Sequence, residues 1–145
     1  MREVAKYAGC FVCGDQNDIG LKAVFEYDGK VARTTVSAQR MFEGYRNIYH
    51  GGILSTLLDE VMIKAILAEE ILAVTAEMTV KFKAPVPIGE TLTFTGYVTE
   101  KRRRLYLTEG QAVGKDGTVY ATATGKYIEA RPDLQDQLKA SLDSN

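Results

Sequence analysis

In IYHGGILSTLLDE, residues 48–60, the chain's single histidine, His50, stands before Gly51 and Gly52 and an apolar run interrupted by Asp59 and Glu60. Those types at that spacing suit chemistry on a carbonyl group. If the run is helical, the Gly51 N–H lies at the positive end of the helix dipole without an internal acceptor. Glycine lets a ligand come close to the backbone, so this N–H can donate to an oxygen that gains charge in a transition state. The structural alternative is that Gly51 and Gly52 relieve crowding where a loop enters the helix. His50 has three candidate roles: base, metal ligand or orienting hydrogen-bond partner. The positive helix end disfavours its protonated form and suits a neutral, positioning role.

Asp59 and Glu60 are separated by context. Lys64 follows Glu60 by four residues, which predicts an ion pair on an exposed strip. Asp59 has Ser55 and Thr56 one turn before it and Met62 and Ile63 one turn after, so its own face offers no cation. An unpaired carboxylate is costly to bury, which favours a site open to substrate or water, although a partner from a distant strand is the structural alternative. No GxSxG elbow accompanies the histidine, and neither HExxH nor a His/Cys cluster is present, so a serine triad and metal hydrolysis are not indicated. From His50 to Asp59 a helix advances about 900° and rises about 13 Å, half a turn out of phase. Gly51 and Asp59 of one chain are then poorly placed to address one atom, and a shared site requires Gly51 of one subunit with Asp59 of another in a symmetric dimer.

The elements that must position these groups follow from patterning. Apolar residues recur at helical spacing around most of the circumference from Gly51 to about Glu69, predicting a helix wrapped by other structure. Residues 21–27 and 30–37 flank Asp28-Gly29 and read as a hairpin with a two-residue turn. After the helix, 72–85, 90–102, 104–117 and 118–130 read as four strands, broken by Pro85, Pro87 and Gly89 and by the turn cluster 114–117. Short connections predict antiparallel neighbours. The expected fold is α+β, a curved antiparallel sheet of about six strands around one long central helix. It forms a single domain over 1–145, with an N-terminal segment, 1–20, and a polar C-terminal tail, 131–145.

The 145 residues suffice for one core without covalent staples, and 18 basic against 19 acidic residues leave a net charge of -1. No overall field is available for a polyanion, so nucleic-acid binding is not expected. No signal-peptide-length or membrane-spanning apolar stretch occurs, so a soluble, unexported, cytoplasmic protein is expected. Cys10 and Cys13 form a lone CxxC. It reads as two small apolar side chains in an ordered segment, with a redox dithiol or half a metal site as the functional alternatives.

HGGILSTLLDE, the following TAEMTVKFKAPVPIGE and the earlier CFVCGDQNDIGL resemble the hotdog-fold acyl-CoA thioesterases of the PaaI-like group in the 4-hydroxybenzoyl-CoA thioesterase superfamily, from about Cys10 to Glu129. The resemblance implies a hotdog fold in which HGG opens the central helix and two subunits pair their sheets to build sites at the interface. It implies that the Gly51 N–H is the oxyanion donor, that Asp59 activates water or attacks the thioester, and that His50 orients the loop. Thr75 matches the position where relatives place a hydroxyl near the attacking water. Many relatives carry Asn or Gln six residues before the histidine; Gly44 stands here, with Asn47 as a nearby substitute. Gly52 belongs to the same substrate-binding entrance. Arg102, Arg103 and Arg104, in the run KRRR, can meet coenzyme A phosphates or form a solvated turn. Met41, Phe42, Tyr45 and Tyr49 suit either an acyl pocket or the core.

The expected activity is hydrolysis of an acyl-CoA or similar thioester to free acid and thiol. No metal or cofactor is implied, coenzyme A being part of the substrate. A homodimer is required for the site, and the sequence leaves open whether it stays a dimer or assembles into a dimer of dimers. The rival readings are a noncatalytic acyl-CoA-binding or regulatory module, against which Asp59 speaks, and a hotdog hydratase or dehydratase, whose usual motifs are absent.

Overall fold

The computed structural model of the chain describes residues 1–143. Seven antiparallel strands form one sheet: β1 (Arg2–Glu3), β2 (Glu26–Tyr27), β3 (Val31–Ser37), β4 (Ala73–Phe82), β5 (Thr91–Arg102), β6 (Leu105–Gly114) and β7 (Val119–Glu129). Their order across the sheet is β1-β2-β3-β5-β6-β7-β4. Helix α1 (Gly51–Leu67) packs against β3 to β7, and α2 (Pro132–Asp143) ends the described chain. This is the expected α+β hotdog architecture. No helix among the described residues is long and apolar enough to cross a membrane.

Burial of α1 on nearly every side explains its weak amphipathicity in the sequence. Leu57, Leu58, Val61 and Met62 are fully enclosed. The helix can come this close because β5 and β6 present Gly96 opposite Gly110 beneath it. A Cβ at Gly96 would stand 2.8 Å from the Val61 carbonyl oxygen and 3.0 Å from Met62 Cα, so any side chain there would lift the helix off the sheet.

Several sequence expectations change. The first hairpin is shorter and its turn lies one residue later, on Gly29-Lys30, because Asp28 N–H bonds Val31 O at 3.2 Å. The Asp28 carboxylate accepts from the Lys30 and Val31 N–H groups at 2.9 and 2.8 Å, anchoring the turn by its first residue. Of residues 21–27 only Glu26–Tyr27 joins a ladder; Leu21 and Ala23 instead donate to Phe11 and Val12 carbonyls in the N-terminal segment. The segment after the first long strand does not form a neighbouring pair: β4 lies at the sheet edge beside β7, and β5 lies between β3 and β6. Pro85 and Pro87 lack N–H groups for a direct return, and the connection runs past the helix entrance, where Tyr49 N–H bonds Val86 O at 2.8 Å. The polar tail is helical over 132–143 and rests Leu138 and Leu142 on the core.

Candidate active site

His50 is the N-cap of α1. Its Nδ1 accepts from the Gly52 N–H at 2.8 Å, while its carbonyl accepts from Ile53 and Leu54. A histidine can replace the usual Ser or Asp cap because its ring nitrogen reaches the same donor, and the nitrogen that accepts carries no proton. The bond occupies the Gly52 N–H, and the Asn47 N–H is likewise taken, by Glu43 Oε2 at 2.7 Å. Among the described residues no acceptor meets the Gly51 N–H. Gly51 lines a cavity beside the Phe82 ring, with Leu54 and Ala84 nearby.

Gly44 packs on the histidine. A Cβ there would stand 3.2 Å from both Cα and Cδ2 of His50, so a larger residue would require the histidine to shift by a few tenths of an ångström. Asn47 adopts φ 63°, a left-handed conformation that asparagine tolerates. Its side-chain carbonyl accepts from Arg40 at 3.4 Å, and it lies off the cavity lined by His50 and Gly51.

Asp59 lies further along α1, facing β4 and β7. Its Oδ1 accepts from Thr75 Oγ1 and from Tyr127 Oη, each at 2.9 Å, and Tyr127 also reaches the Asp59 carbonyl at 3.1 Å. Thr75 and Tyr127 are cross-strand partners, so both hydroxyls point to the helix from one face. A bulge at Ala76, between Thr75 and Glu77, interrupts the ladder just beyond them. It shifts the inward parity of β4 from Ala73 and Thr75 to Met78 and Val80, which lets one strand serve both the carboxylate and the core. Oδ2 receives no hydrogen bond, and no cation pairs with Asp59, among the described residues. The carboxylate lines a cavity of about 590 Å³ together with Cys10, Glu60, Ile63, Thr75 and Leu138. Burial, and next the charge of Asp59, hold the Tyr127 hydroxyl above its ordinary range, so it remains a donor.

Glu60 corrects one expectation. It does pair with Lys64, at 3.7 Å, but the strip is buried: the Lys64 side chain is 1% exposed and that of Glu60 12%. The N-terminal segment covers this face of α1, and local helix spacing carries no information about such a cover. Tyr127 was missed altogether. Its only signal was being the one hydroxylated ring in the inward series Ala121, Ala123, Gly125, Tyr127.

Within one chain Gly51 and Asp59 open onto different cavities. Counted from Gly51, the interval is eight residues, about 800°, so the separation comes from a rise of about 12 Å rather than from opposite faces. The KRRR run forms the β5–β6 turn. Arg102 pairs with Glu100 at 2.9 Å, Arg104 donates to Glu129 O at 2.7 Å, and Arg103 takes φ 55° at the exposed tip. The register Leu105–Ile128 and Val74–Ile128 puts this tip at the Asp59 end of the sheet, away from Gly51. Of the aromatic cluster, Phe42 and Tyr49 are core and in contact, whereas Met41 and Tyr45 are exposed.

The thioesterase superfamily profile matches residues 47–121, just over half of the chain. The chain belongs to the thioesterase superfamily. The match contains His50, Gly51, Asp59 and Thr75 but ends before Tyr127. A crystal structure of another thioesterase superfamily protein superposes with TM-score 0.78 at 28% identity, covering 84% of this chain and 61% of its own. The chain therefore spans less than two thirds of that relative's length. The Escherichia coli PaaI protein of the phenylacetic acid degradation operon is similar at TM-score 0.67 and 24% identity, over 72% of this chain and 75% of its own. A hypothetical thioesterase protein from Streptococcus pneumoniae, solved with coenzyme A, gives 0.70 and 18%, over 73% and 84% respectively. These two likenesses speak to the fold alone. No curated protein matches the chain.

Proposed function

We propose that this thioesterase superfamily member hydrolyses an acyl-CoA or similar thioester at a site shared by two subunits, without metal or cofactor. The observation that carries the reading is Asp59: Thr75 and Tyr127 fix one oxygen, and among the described residues nothing donates to the other and no cation neutralises the carboxylate. Gly51 supplies the complementary half, a free N–H at a helix start, aimed at the thioester oxygen as it gains charge. Asp59 of the partner then activates water, or attacks to give a transient anhydride that water opens. Either route releases the free acid and the thiol.

The edge strand supports the dimer. β4 has ten residues, is unpaired on its outer side, and exposes Val74 and Phe82, a combination that favours association. Thr75 marks the Asp59 end of β4 and Phe82 the Gly51 end, about 24 Å apart. Pairing this edge with its copy across a twofold axis runs the strands antiparallel, which brings the Asp59 end of each chain beside the Gly51 end of the other. The coenzyme A bound to the pneumococcal relative and the charge of the KRRR tip support the thiol half of the substrate.

A panel of acyl-CoA thioesters with a free-thiol assay tests the activity. Saturable binding without thiol release would favour the noncatalytic module, and double-bond hydration the hydratase. Mixing inactive Asp59→Ala with inactive Gly51→Pro tests the shared site: exchanged heterodimers hold one intact site and regain part of the activity. Confirmed exchange with no recovery would overturn it.

A further inference from the structure

We propose that Cys10 and Cys13 form a thiol–disulfide exchange site for the disulfide of a small thiol entering through the Asp59 cavity, with Cys10 attacking, Cys13 resolving, Glu60 accepting protons and Lys64 holding the resolving thiolate. The inference stands apart from hydrolysis and uses groups to which that reaction assigns no role.

The two sulfurs and a Glu60 oxygen lie within 4.8 Å of one another. A helical turn brings the cysteines to one side, closed by Gly14 N–H on Cys10 O at 2.9 Å, and the Val12 N–H points at Cys10 Sγ at 3.3 Å. Accessibility divides the roles. Cys10 is half-buried on the cavity wall and meets whatever enters, while Cys13 is fully buried behind it. Cys10 Sγ donates to Glu60 Oε2 at 3.7 Å, and Lys64 Nζ donates to Cys13 Sγ at 3.4 Å. Lys64 also donates to Ala5 O and stands over the Tyr7 and Phe25 rings at 5.5 and 5.6 Å.

Two inert apolar cysteines need no such setting, since an enclosed ammonium and carboxylate carry a large desolvation cost. A divalent metal fits poorly as well: the Lys64 ammonium already lies 3.4 Å from one would-be ligand and 3.7 Å from another, where it would repel a dication. The charges suit a thiolate instead. A hydrogen bond from Cys13 lowers the Cys10 thiol, partly opposed by burial, and raises Cys13 in turn. Burial first, and then the nearby Cys10, push Glu60 up to about 7, near the value that suits a proton acceptor at neutral pH.

The electrons balance with the small disulfide as oxidant. Glu60 takes the Cys10 proton; Cys10 Sγ bonds to one sulfur of the disulfide, the S–S bond breaks, and the departing thiolate takes up that proton. Cys13 then loses its proton to Glu60 beside Lys64 and attacks Cys10 Sγ, expelling the second thiol. One small disulfide becomes two thiols, and two protein thiols become the Cys10–Cys13 disulfide. Between the steps the mixed disulfide projects into the cavity that contains Asp59.

The test treats the reduced, metal-free full chain with glutathione disulfide and follows it by intact and peptide mass spectrometry. Wild type should end as the Cys10–Cys13 disulfide. Cys13→Ser should stall as a glutathione adduct on Cys10, and Cys10→Ser should form no adduct. Glu60→Gln should keep its fold and react about tenfold or more slowly near neutral pH, losing the step near pH 7 in the rate profile. If a cysteine variant fails to fold, alkylation of the wild type replaces it and should label Cys10 first. Wild type that stays reduced, an adduct forming first on Cys13, or alkylation of Cys13 first would overturn the proposal. So would stoichiometric binding of added zinc that Cys10→Ser abolishes.

Discussion

Asp59 and Glu60 are adjacent in the chain, identical in charge and about 100° apart around one helix, yet they occupy opposite electrostatic settings. Asp59 faces β4 and β7, where two neutral hydroxyls hold one oxygen and no donor among the described residues meets the other. Glu60 turns to the N-terminal segment, where Lys64, Cys10 and Cys13 surround it and burial dominates. A carboxylate fixed by neutral donors keeps its charge available to a ligand, whereas one enclosed with a lysine spends it inside the fold.

Removing the free carboxylate should give the largest effect. Asp59→Ala is expected to lower thioester hydrolysis by about 10²–10⁴-fold at unchanged circular dichroism, because its partners Thr75 and Tyr127 are neutral. Comparable turnover in that variant would end its distinction from Glu60. Lys64→Ala attacks the other setting and should cost about 3–5 kcal/mol in urea unfolding, since it strands Glu60 without its cation. A loss under 1 kcal/mol would mean that the enclosed pair contributes little.

Thr75→Val is the finer probe of the Asp59 side. Losing one hydrogen bond to a charged group is worth about 1.5–3 kcal/mol, so kcat should fall about tenfold or more with little change in KM. The smallest effect concerns pH. Glu60 is surrounded by Cys10, Cys13, Tyr7, Lys64 and Asp59, and burial, then the nearby Cys10, raises it in the folded chain to about 7 from its ordinary value of 4.5. Its protonated form therefore stabilises the fold fully below about 4.5, and that contribution is lost as pH rises through 7. Thermal unfolding of wild type, relative to Glu60→Gln, should weaken across that window. Parallel curves would place Glu60 in water.

Patterns confined to a few turns or strands were legible in the sequence. Helical spacing located α1 and alternation located the four long strands, while the residue types in HGG and Asp59 singled out the two groups on which the proposed site rests. Thr75 entered through family resemblance, and its contact with Asp59 joins residues sixteen apart in the chain. What failed were statements about neighbours. The Glu60–Lys64 pair was expected in solvent, and β4 was expected beside β5.

The sequence by itself determined α1 and the four long strands that follow it, that α1 must be enclosed, and where a carbonyl-polarising donor and a carboxylate could reside. Those properties follow from local spacing and residue chemistry. Only the tertiary structure decided that Tyr127 anchors Asp59, that a bulge turns β4 to serve both site and core, and that residues 4–13 close over Lys64 and Glu60. Such contacts join residues far apart in the chain, and their energies depend on which surface excludes water, a property that no local window contains.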